Sequence, residues 1–127
     1  MSTRDSVVVD RTRGQEFVDA CRATVGDQLR SLTYFRDDGF EQLYLRSDLS
    51  AEADLTGFVE HESLGFDAHT AYHGSELGEY DCTIRVFEHG FLLRVTTPDE
   101  GIFLTTDGIT LGDFKEAATA LKTLLAQ

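Results

Sequence analysis

Lysine is almost missing from this chain. Only Lys115 and Lys122 occur, and 11 basic residues face 23 acidic ones, for a formal charge of −12 over 127 residues. Nucleic-acid affinity comes largely from Lys and Arg neutralising phosphates, so this balance argues against a nucleic-acid partner. Cysteine is scarce too. Cys21 and Cys82 stand far apart without metal-site spacing, and they read as small buried apolar residues rather than a disulfide. No stretch approaches the roughly 20 apolar residues of a membrane span. The opening Met1-Ser2-Thr3-Arg4-Asp5 has no apolar signal segment. A cytoplasmic chain with no membrane partner is expected. Catalytic signatures are missing as well: there is no Gly-x-Ser-x-Gly elbow and no Walker or Rossmann glycine pattern. No catalytic residue and no cofactor is expected.

What is present begins with the carboxylates. Such a surplus repels itself and costs a compact chain stability in dilute buffer. In molar salt the Debye length falls to about 3 Å, so the repulsion is screened while the acidic surface stays hydrated. The composition therefore reads as halophilic, suited to a salt-loaded cytoplasm. An apolar fraction of 41% with nine phenylalanines supplies a core, and the length suits one domain.

Residues 1–13 read as an N-terminal arm, with Val7-Val8-Val9 either a short edge strand or part of a disordered arm, and residues 14–127 as a single domain. Thr12 and Gln15 have capping-box spacing, ahead of Phe17, Ala20, Cys21, Thr24 and Val25 at helical intervals, with Gly26 as terminator. Leu29 to Arg36 and Phe40 to Arg46 flank Asp37-Asp38-Gly39, a hairpin signal. On the second strand, Leu43 and Leu45 are expected on one face and Phe40, Gln42 and Tyr44 on the other. Ser50 is expected to cap a helix bearing Leu55, Phe58 and Val59 that ends at Gly65, and Asp67 a shorter one ending at Gly74. From Tyr80 the period changes to two, giving strands over Tyr80–Phe87, Phe91–Thr97 and Ile102–Thr106. Thr110 with Asp113 then caps a final helix striped by Phe114, Ala117, Ala118, Leu121, Leu124 and Leu125.

The expected fold is α+β, a five-stranded antiparallel sheet flanked by helices in the order α-β-β-α-β-β-β-α. That order is similar to the roadblock and profilin-like folds. The runs Tyr34-Phe35-Arg36-Asp37-Asp38, Leu43-Tyr44-Leu45-Arg46-Ser47-Asp48-Leu49, Cys82-Thr83-Ile84-Arg85-Val86-Phe87-Glu88 and Gly101-Ile102-Phe103-Leu104 resemble a family of small, uncharacterised haloarchaeal proteins. The resemblance implies habitat and length and carries no activity.

Several side chains are weighed as sites. His69 and His73, four apart, have the spacing of a helical metal pair, but the Glu of His-Glu-x-x-His is absent between them, so a solvated face is the favoured reading. Arg46 is either an anion clamp or the partner of a nearby Asp. Arg85 and Arg94, on adjacent strands, would need carboxylate partners if they face a core. The leading expectation is a non-enzymatic regulatory or protein-interaction module acting as a homodimer, through Tyr80–Glu88 and the helix around Phe58. The alternatives are a small-ligand-sensing domain with a pocket lined by Tyr44, Phe58 and Tyr72, and a metal-dependent hydrolase using His69 and His73.

Overall fold

A computed structural model describes residues 9–51, 53–54, 58–62 and 74–127. Helix α1 spans Arg11–Val25, so residues 11–13 of the expected arm are helical, and Val9 is already buried in the core. Asp10 caps it, not Thr12: its carboxylate accepts from Arg13 N at 3.0 Å. A carboxylate caps better than a threonine hydroxyl and also suits the positive end of the helix dipole. Gly26 closes the helix at φ 59°, a value glycine adopts without strain.

A 3-10 turn over Gly26–Gln28 leads to β1 (Leu29–Arg36), which returns through Asp37-Asp38 as β2 (Gly39–Leu45). Helix α2 is Phe58–Glu62. A meander follows of β3 (Thr83–Phe87), β4 (Gly90–Thr96) and β5 (Glu100–Thr106). Helix α3 (Leu111–Leu125) ends the fold, held by the capping box of Thr110 and Asp113 that its sequence announces.

All pairings are antiparallel, and the sheet order is β2-β1-β5-β4-β3. The first hairpin and the meander thus join through β1 and β5, leaving β2 and β3 as edges. On one face Leu32, Tyr34, Leu93, Val95, Ile102 and Leu104 pack against the apolar stripes of α1 and α3. On the other, Phe35, Leu92 and Phe103 are covered by Phe58 and Val59 of α2.

Three expectations need correction. The strand alternation fails in β2 because a bulge between Leu32 and Thr33 shifts the register. Leu43 and Tyr44 both pack on the α1 side, while Gln42 donates to the Ala53 carbonyl on the α2 side. A helix running from Ser50 does not form either: Asp54 has φ 64°, outside the right-handed helical region, and α2 begins at Phe58. The third strand starts at Thr83 rather than Tyr80. The expected helix from Asp67 to its stop at Gly74 lies within residues 63–73, outside the described residues, apart from Gly74 itself.

Candidate docking edge and ligand cleft

Two acidic side chains organise the α2 face. The first is Glu62, which is 3% exposed. Arg85 Nε donates to its Oε2 at 2.7 Å, and Arg94 Nε donates to its backbone carbonyl at 2.7 Å and lies 3.5 Å from Oε1. Arg94 is itself buried, with its guanidinium 5.9 Å from the centre of the Phe35 ring. The register pairs Arg94 with Thr83 and Arg85 with Leu92, so both arginines project from one face. They meet the carboxylate that this burial demands, and together they fasten the end of α2 across β3 and β4. A cation at a helix C-terminus also complements its dipole.

The second is Asp54, whose side chain is 8% exposed. Its Oδ2 accepts from Ser31 Oγ at 2.7 Å and Thr105 Oγ1 at 2.5 Å. Its Oδ1 accepts from Arg30 Nη2 at 3.2 Å. Beside this cluster a cleft of about 260 Å³ opens between β1, β5, α2 and the β3–β4 turn, and Phe58 and Phe87 supply its apolar walls. Phe58 stacks on Phe87, with centroids 6.0 Å apart and planes 15° apart. At the edge itself Val86 is 76% exposed and Phe87 48% exposed.

The side chains singled out from sequence are dispersed. Phe58 and Arg85 lie on the α2 face, and Tyr80 precedes β3, where its hydroxyl bonds that of Thr83. Tyr44 is on the opposite face, receiving a hydrogen bond from Arg22 of α1 at 2.8 Å, so it cannot share a pocket with Phe58. Arg46 is engaged by carboxylates, donating to Asp48 Oδ1 and Asp107 Oδ2 at 2.7 Å each and to the Asp27 carbonyl at 2.9 Å. Those bonds, Asp107 first, raise its pKa above the ordinary arginine value. Its role is to tie the end of β2 to the loop after β5. Tyr72, His69 and His73 lie outside the described residues. Among the described residues no group of three or more His, Cys, Asp or Glu side chains is arranged to hold a metal. No helix among them is long and apolar enough to cross a membrane, and both cysteines are free.

Nothing in the sequence marks either α2-face carboxylate as the partner of a particular arginine. The demand for Glu62 was readable from Arg85 and Arg94, whereas nothing in its own neighbourhood distinguishes it from Glu60. Asp54 has no local signal at all.

The profile of a family described as a domain of unknown function, DUF7522, matches residues 15–126. The chain belongs to that family. No curated protein matches it. Among solved structures, Myxococcus xanthus MglB superposes with a TM-score of 0.52 at 13% identity, over 94% of this chain and 95% of that one. MglC from the same organism superposes at 0.45 with 20% identity, over 88% and 99%. The likeness to MglB shows a shared fold, so this DUF7522 chain has the roadblock-like architecture that its element order suggests.

Proposed function

We propose that this protein is a non-enzymatic regulatory or protein-interaction module that acts as a homodimer, with β3 and α2 of one copy set against those of another. The observation that carries the reading is the β3 edge. Among the described residues it has no strand on its outer side, yet it carries exposed Val86 and an exposed Phe87 that stacks on Phe58. Open edges are normally shortened, charged or covered, and this one is apolar at its C-terminal end. A second copy would extend the sheet and remove both apolar side chains from water. The roadblock-like fold supports the same reading. The working environment we infer is a salt-loaded cytoplasm, supported by the −12 charge.

Sedimentation in 2 M NaCl tests the proposal. The wild-type chain is expected to run as a dimer, and Val86→Lys as a folded monomer, because a charge in the exposed apolar part of the edge opposes pairing. A wild-type monomer at high micromolar concentration would remove the reading. A dimer indifferent to Val86→Lys would move the interface elsewhere.

A second reading, a domain that senses a small ligand, is favoured by the cleft beside Asp54.

A further inference from the structure

Two backbone irregularities converge on the cleft. In the pairing of β1 with β5, Leu29 faces Thr106 and Ser31 faces Thr105, so Arg30 is the extra residue of a bulge. Bulges redirect side chains, and they are frequent beside functional sites. On the opposite wall Asp54 holds φ 64°, an uncommon conformation for a residue with a side chain. Such a conformation persists only where its surroundings enforce it. Both departures place charge at one spot: the bulge turns Arg30 toward the cleft, and the left-handed residue brings a buried carboxylate to hold it.

Asp54 has little capacity left for a ligand. Two hydroxyls and one guanidinium N–H already bond its oxygens. Arg30 is the opposite case. A guanidinium has about five N–H donors, and Nη2 to Asp54 is the bond it makes among the described residues. Its side chain is 25% exposed. The ion pair fixes the planar fork, so little further conformational freedom is lost when it accepts a second partner. Carboxylates are the matching acceptors, because they take two parallel N–H bonds from one fork.

The remaining walls set the rest of the ligand. Phe58 and Phe87 offer ring faces and edges, which favour a flat apolar body. The volume of about 260 Å³ lies below the roughly 300–1,000 Å³ of sites for drug-sized molecules. It exceeds the ~150 Å³ cavity that accepts benzene. One ring, or a fused pair, with a short acidic arm fits.

We propose that this cleft binds a small aromatic carboxylate, its acid group on the Arg30 fork and its ring against Phe58 and Phe87. The proposal rests on the ligand-sensing reading above and does not require a dimer.

Amide NMR titration of the full chain tests it, with phenylacetate and indole-3-acetate as probes, and phenylacetamide, phenethylamine and acetate as comparators. The two aromatic acids are expected to produce saturable shifts at Arg30, Gly90, Phe91 and Thr105, and to bind at least tenfold tighter than any comparator. Arg30→Gln should weaken the acids at least tenfold while retaining a dispersed spectrum. Arg30→Lys, which keeps the charge without the fork, should weaken them severalfold. If phenylacetamide or phenethylamine binds as well as the acids, the carboxylate assignment is wrong though a ligand cleft stands. If no probe saturates, or Arg30→Gln binds like wild type, the site itself is refuted.

Discussion

Glu62 shows how much one residue on a short helix can hold. Its carboxylate is the partner of two arginines, one of them buried beneath it. Removing one member of a buried ion pair commonly costs about 3–5 kcal/mol, because the other charge is left without compensation. Glu62→Gln keeps the backbone carbonyl that Arg94 also uses, so a loss near the lower end, about 3 kcal/mol, is expected in urea unfolding. A midpoint unchanged from wild type would show that water compensates Arg94.

Glu100 does comparable work on the other face. Arg13 meets it through both oxygens at 3.1 Å, and the Tyr34 hydroxyl donates to it as well. Arg13 also reaches the Leu125 carbonyl at 3.2 Å, joining α1, β5 and the end of α3. Burial raises the Glu100 pKa, but the bonds from Arg13 and Tyr34 outweigh it and leave the group below its usual value. A depressed folded-state pKa means that the stabilisation is present above the unfolded value, about 4.3, and is lost as pH falls through the folded one. Glu100→Gln should therefore flatten the acid limb of the stability curve below about pH 4.3 and lower stability at neutral pH. Parallel acid limbs for mutant and wild type would contradict this. Burial pushes Tyr34 up to about 12, so its own contribution fades only in strong alkali.

Among the elements, the central strands are close-packed around a glycine. Gly101 sits opposite both Phe35 on β1 and Thr96 on β4. A Cβ there would fall 2.4 Å from Phe35 Cζ and 2.8 Å from Thr96 Cγ2. The Phe35 ring lies over the glycine and in turn contacts Phe103, with centroids 6.1 Å apart. Gly101→Ala should force the ring out of place and destabilise by about 1–3 kcal/mol, lowering the thermal midpoint. An alanine variant as stable as wild type would mean that Phe35 has room to turn. The elements most legible in sequence are those with self-contained signals. β1 has the predicted bounds, and α3 follows from its cap and apolar stripe. The misread elements are those whose shape depends on a partner: the β2 faces follow a bulge set by pairing with β1, and α2 follows Asp54, whose left-handed backbone is held by side chains from β1 and β5.

At the scale of the molecule, the chain must travel from β2 at one edge to β3 at the other. It crosses the face that α1 and α3 leave open, and α2 covers Phe35, Leu92 and Phe103 on the way. That crossing brings Phe58 to the β3 edge and creates the cleft, so the candidate site is a consequence of topology. Net charge acts at the same scale. With −12 over 127 residues, the thermal midpoint should rise steadily between 0.1 and 2 M NaCl as self-repulsion is screened. A midpoint independent of salt, or falling with it, would remove the halophilic interpretation of the composition.

Local chemistry was enough to determine the number of strands, both long helices and the acidic character of the surface. Periodicity, caps and turn residues act within a few positions of one another, and charge is a sum that needs no coordinates. Tertiary structure alone decided which carboxylates meet Arg85, Arg94 and Arg30, which side of the sheet receives Tyr44, and which edge stays open. Each of those depends on contacts between residues tens of positions apart, and such contacts exist only once β1 and β5 have paired and the middle segment has crossed the sheet.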